Sequence, residues 1–215
     1  MRRWLALMIA ASALAGRAEV VDRIAASVAG QVVTLSDTRR LIRISTFLEK
    51  SEPDYSSANL RRAAEQLVDQ ALIRREAELS RYPAPSYQEI DSALDQFAAS
   101  LGMDKQAMFA AALKNGFSEQ EMRDHAAWRL TLVRFIDYRF RPGVMVSDAD
   151  VANYYNNVFL PEFRKQSPDA TPPGSDAVRA RIIDILNTQL ATQASQLWLD
   201  QARKQTRIHY FEEAF

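Results

Sequence analysis

Few side chains in this sequence are equipped for covalent chemistry. Histidine occurs twice, at His125 and His209, and cysteine not at all. An active site needs a constellation: a nucleophile beside its base, a metal held by several ligands, or a phosphate loop after a strand. No His-x-x-x-His or Cys/His ligand spacing is present, which disfavours a catalytic zinc site. His125, in a helical stretch with Asp124 and Trp128, reads as a helix residue with a partly wet face, and His209 as an exposed edge residue. Ser118 and Ser147 are better explained as helix caps than as nucleophiles. The expectation is a protein that is not an enzyme and uses no cofactor.

The other chemistry on offer is soft apolar contact. Met103, Met108, Phe109, Phe117 and Met122 gather around two helix junctions, and Tyr154, Tyr155, Phe159 and Phe163 form an aromatic group further on. Methionine adapts its shape to varied partners, which suits a promiscuous peptide groove. These residues are therefore candidate peptide contacts, with packing at helix ends as the competing reading. A micromolar contact needs about −8 kcal/mol net. Three to five anchoring side chains at roughly 1.5–3 kcal/mol each reach that after ordering costs. No nucleotide is required.

The elements that position these residues begin with a valine-rich run. Residues 20–28 alternate apolar with small or polar residues, Ala29-Gly30 interrupts them, and Gln31-Val32-Val33-Thr34-Leu35 is a second β-prone run. This reads as a β-hairpin. Ser36-Asp37 offers N-cap oxygens for a helix with Leu41, Ile44 and Leu48 on one face. A two-stranded hairpin alone is marginal in water, so it needs a third strand or a helical cover.

Helices dominate the middle of the chain. One is expected over 59–81, with Leu60, Ala64, Leu67, Val68, Ala71 and Leu72 along a stripe. Tyr82-Pro83-Ala84-Pro85 stops it, and Ser86 to Glu89 is a capping box. Gly102, Asp104 and Asn115-Gly116 punctuate the next two helices. Ser118 to Glu121 opens a helix reaching about Phe140, with Met122, Ala126, Leu130, Val133 and Ile136 in register, and Ser147 caps one more. Residues 166–175 carry three prolines and a glycine and read as a linker. A long amphipathic helix from Asp176 and an alternating strand over 207–211 close the chain. The fold class expected is mainly α with a small β element, the N-terminal hairpin joined by a C-terminal strand.

The first residues have the grammar of a secretory signal: Arg2-Arg3, an apolar core from Trp4 to Leu14, and small residues allowing cleavage after Ala15 or Ala18. That core is short of the about 20 residues of a membrane span. The division expected is a signal over 1–18, a helical module with hairpin over 19–165, the Pro-rich linker over 166–175, and a returning helix and strand over 176–215. Formal charge is zero, and removing Arg2, Arg3 and Arg17 leaves 24 basic against 27 acidic residues, a net −3. With no basic run, nucleic acid is not an expected partner, and neither is a stable membrane span. A homodimer is compatible with the composition.

Three pieces of the chain resemble the SurA-like periplasmic chaperones. They are the run from Asp22 to Asp37, the helical Leu67-Val68-Asp69-Gln70-Ala71-Leu72-Ile73, and the passage from Ser86 to Asp150 with Leu101-Gly102-Met103, Asn115-Gly116-Phe117-Ser118 and Val146-Ser147-Asp148-Ala149-Asp150-Val151. The resemblance implies a core chaperone module of hairpin and helices, completed by a helix and strand that return to pack on it. The segment from Asp176 to Phe211 resembles that return. In the family, parvulin-type prolyl isomerase domains usually precede it. Here the stretch from Phe163 to Asp176 leaves no room for a domain of roughly 90–100 residues, so isomerase activity is not carried over. The expectation is an ATP-independent periplasmic chaperone for unfolded or extended polypeptides, outer-membrane protein precursors among them. A non-catalytic scaffold subunit with one folded partner and a degenerate prolyl isomerase are the alternatives.

Overall fold

The computed structural model describes residues 22–215, so the export signal expected over residues 1–18 lies outside the described residues. Strand β1 (Ile24–Val28) turns back into β2 (Gln31–Thr34). Ala29 and Gly30 between them have φ of 50° and 85°, the two positive values of a type I′ turn, whose twist matches that of the strands. Glycine takes this conformation freely, and Ala29 is carried into it by the pairing on both sides.

Helix α1 (Leu35–Glu49) starts directly from β2. Thr34, not the Ser36-Asp37 pair, is its N-cap: the Thr34 hydroxyl accepts from the Asp37 amide, and the Asp37 carboxylate accepts from the Thr34 amide. The threonine serves as both last strand residue and first cap, so no connector separates the two elements.

Next come α2 (Ser57–Leu79), α3 (Tyr87–Leu101), α4 (Lys105–Lys114) and α5 (Glu119–Arg139). The expected punctuation is present: capping boxes at Ser86 and Ser118, Asp104 accepting from the Ala107 amide, and left-handed Gly102 and Gly116 closing helices. Helix α6 (Asp148–Tyr154) runs through a π-helical turn, Tyr155–Phe159, into α7 (Leu160–Gln166). The Pro-rich connector leads into α8 (Ser175–Gln205), then β3 (Ile208–Tyr210). That connector is docked on α6 and its π turn, because the Tyr155 hydroxyl donates to the Pro173 carbonyl at 2.8 Å.

The two ends of the described chain meet. The sheet order is β2-β1-β3, all antiparallel, with Val28 opposite Ile208 and Ala26 opposite Tyr210. The fold is mainly α with a small three-stranded antiparallel sheet, as the sequence leads one to expect. Among the described residues no helix is long and apolar enough to cross a membrane.

Burial divides into two centres. One joins Ala26, Val28 and Val33 of the sheet to Val68 and Leu72 of α2, Trp128 and Phe135 of α5, and Leu199 of α8. The other joins Ile44 of α1 to Leu94, Met108, Ala112, Phe117, Met122 and Ala126. Helix α5 serves both, its first half in the second centre and its latter half in the first. That explains a departure from the single expected stripe: Val133 is exposed at 57 %, whereas Trp128 and Phe135, outside that stripe, are buried.

Candidate functional site

Between the two centres lies an open groove of about 690 Å³, bordered by β2, α1, α2, the 80–86 connector and α5. Its apolar lining includes Val33, Leu41, Leu67, Ala71, Trp128 and Phe135. Leu67 and Ala71 belong to the expected inward stripe of α2 and pack against the first centre, yet they are only partly buried because their remaining surface borders the groove.

Two arginines on the groove walls, Arg40 and Arg134, are paired within the protein. Arg40 reaches from α1 to Asp37 at 2.9 Å and to Glu121 of α5 at 2.5 Å, bracing the helices apart at one end. Its Nε–H is not aimed along the Glu121 contact, so the attraction there is Coulombic rather than a directed hydrogen bond. Arg74 places its guanidinium 5.3 Å from the centre of the Trp128 ring, a cation–π contact that stiffens one wall.

The Tyr82-Pro83-Ala84-Pro85 connector forms the other end. Arg134 holds it, donating from Nη1 to the carbonyls of Pro83 at 3.1 Å and Ala84 at 2.7 Å, and from Nη2 to Glu89. Glu89 is itself the capping-box carboxylate of α3. The Ser86 hydroxyl and amide and then Arg134 draw its pKa down to about 2. Arg81 takes a left-handed φ of 54° to turn the chain out of α2, and Tyr82 then stacks on Tyr138 at 5.8 Å and meets Phe135 edge-on at 6.3 Å.

A second hollow of about 460 Å³ lies on the far side of a partition made by Leu41, Gln70, His125 and Trp128, which line both spaces. Burial, with the Arg129 charge adding to it, pushes the His125 pKa down to about 4, so the imidazole is neutral at pH 7. It sits 6.2 Å from the Phe97 ring, against apolar surface rather than in a catalytic relay. Asp69 borders this second hollow and is clasped by Arg203 of α8, with Nε 2.7 Å from Oδ1 and Nη2 on Oδ2. Burial raises the Asp69 pKa against the pull of that arginine. The pair fastens α2 to the returning helix.

The peptide contacts expected from sequence are not brought together here. Met108, Phe117 and Met122 are at most 2 % exposed, inside the second centre, and Phe117 packs edge-on against Phe47 at 5.3 Å. Packing at helix ends, the competing reading, accounts for these three side chains, which have almost no exposed area. Met103 and Phe109 are half-buried against the same centre, and neither borders the groove. Tyr154, Tyr155 and Phe159 lie apart on α6 and its π turn. Tyr155 stacks on Phe159 at 5.5 Å and Phe159 meets Phe163 at 5.9 Å, giving a half-buried aromatic ladder.

The groove residues that sequence reasoning passes over are Trp128, Phe135, Tyr82, Leu67 and Ala71. Their signal is the width of the apolar surface on two long helices. Trp128 and Phe135 fall off the Met122–Ala126 line, and a helix with two apolar faces has two things to pack against. Among the described residues no group of three or more His, Cys, Asp or Glu is placed to hold a metal ion. No protein-family model matches the chain, and no curated protein matches it.

Proposed function

We propose that this protein is an ATP-independent holding chaperone that binds short extended stretches of unfolded polypeptide in the groove between its two cores. The observation that carries the reading is an open space of about 690 Å³, lined by an apolar strip between charged walls, that no part of the described chain fills. That volume lies within the range of about 300–1,000 Å³ of ordinary ligand pockets. It suits a few residues of an extended chain, not a folded domain. Arg40 and Arg134 brace its ends from within the protein, so the space survives without a guest.

The resemblance to SurA-like chaperones supports the same reading through the order hairpin, helices, returning helix and strand. With the secretory grammar of residues 1–18, it points to a periplasmic protein whose clients include outer-membrane β-barrel precursors. Clients would be held through apolar side chains, with the charged walls keeping the empty groove soluble.

The test is aggregation of a urea-unfolded β-barrel precursor diluted into buffer with the purified protein at near-stoichiometric ratio. Slowed light-scattering growth is expected, without nucleotide. No effect on any unfolded client would contradict the reading.

A further inference from the structure

The pairing of the sheet determines which backbone groups face the groove. Ala29 donates its amide to the Arg207 carbonyl at 3.2 Å, and Phe211 donates to the Ala25 carbonyl at 3.0 Å. With Ser27 opposite His209, these bonds mean that Ala25, Ser27 and Ala29 turn their backbone groups toward β3. Ala26 and Val28, in between, turn theirs toward β2, onto Val33 and Gln31. Ser27 and Val32 are then a non-hydrogen-bonded pair. The N–H and C=O of Val32 consequently point away from β1, out of the free edge of the sheet.

Val32 is 53 % exposed, and Gln31, Val32 and Val33 line the groove. The next outward amide, that of Thr34, is already given to Asp37 at 3.0 Å. The edge therefore presents one residue's donor and acceptor side by side, bordering an apolar hollow.

We propose that Val32 is a docking point at which an extended apolar polypeptide segment forms a β-bridge, exchanging two backbone hydrogen bonds with β2. This rests on the polypeptide-binding reading above and specifies how the segment is held. The occupant is a peptide backbone because its own N–H and C=O match that spacing, the basis of strand addition. A residue opposite Val32 turns its side chain to solvent, as Val32 does. Its two neighbours point to the opposite face of the sheet, where α2 carries the partly exposed Leu67 and Ala71 that border the groove. Arg40 and Arg134 are committed to Glu121 and Glu89, whereas Arg74, on Trp128, makes no ion pair among the described residues and complements a carboxylate in the segment.

The experiment uses the full chain and a ten-residue peptide alternating leucine with serine and carrying one glutamate. Amide exchange of Val32 is followed by NMR with and without peptide. Binding should slow Val32 exchange about tenfold or more. Val32→Pro removes the outward amide at an edge position, where proline is tolerated, so it should weaken the peptide about five- to tenfold and shift the melting curve little. Suppose the peptide binds, and is displaced by filling the groove with Ala71→Trp, while Val32 exchange and Val32→Pro affinity stay as before. The β-bridge is then overturned and the groove reading stands. Failure of the peptide to bind overturns both. Protection of Val32 that grows with protein concentration in the absence of peptide assigns the edge to a second copy of the chain, which also overturns the inference.

Discussion

Ile208 stands directly opposite Val28, so the last strand of the chain completes the sheet begun by the first. Val28 is 1 % exposed and belongs to the centre that also holds Phe135 and Leu199. Closure of the ends and formation of that centre are therefore one event. Removing residues 207–215 should leave a two-stranded ribbon of marginal stability and strip cover from β1. The expected outcome is a loss of several kcal/mol in denaturant unfolding, roughly the half-burial of Ile208 and Tyr210 plus the lost β1 pairing. An unchanged midpoint would mean the sheet does not depend on its third strand.

Met122 separates core from contact surface. Its side chain has no exposed area and packs in the second centre. Met122→Ala should cost about 2–5 kcal/mol of stability. If the protein holds clients as proposed, suppression of client aggregation per folded molecule should be unchanged at a temperature where the variant remains folded. A stable variant with lost client binding would return Met122 to the contact surface.

How far the sequence is legible depends on the kind of signal each feature carries. Ser86, Asp104, Ser118 and Ser147 are readable as caps because a cap is a local match between a side chain and amides three residues on. The return of Ile208 to Val28 is inferable because a two-stranded ribbon demands a partner. The groove is not legible at Met103, Met108, Phe109, Phe117 and Met122, since residue type does not say which of several apolar faces is left without a neighbour. Leu67 and Ala71 have the same periodicity as buried Ala64 and Val68. Only the separation of α1, α2 and α5 in space decides that they stay open.

His125 gives the fold a definite pH response. Its pKa is about 4 in the folded protein against 6.5 ordinarily, so the unfolded chain binds the proton more tightly. Its contribution is complete above about pH 6.5, falls as pH drops toward 4, and is constant below. The full effect is at most about 3 kcal/mol, less for the part of the ring that water reaches. Urea midpoints measured from pH 7 to pH 4 should decline, and His125→Gln should flatten that slope. The exposed Glu89, with its pKa near 2 against 4.5, contributes fully above about pH 4.5 and loses that contribution as pH falls toward 2, so it meets the His125 window only at its acid end.

Arg134 holds the connector at the end of the groove through two carbonyls and Glu89. Arg134→Ala should lower stability by about 1–3 kcal/mol and speed proteolysis within residues 80–86 before global unfolding. Equal protease resistance in both proteins would show that the aromatic stacking of Tyr82 suffices.

The central claim, that clients lie in the groove between the two cores, is tested most directly by site-specific photo-crosslinking to an unfolded β-barrel precursor. A photoreactive phenylalanine analogue replaces Ala71 in the groove wall or Met145, which is 89 % exposed and borders neither hollow. Strong client adducts from position 71 and few from position 145 are the expected result. Adducts from position 145 with none from position 71 would contradict the account.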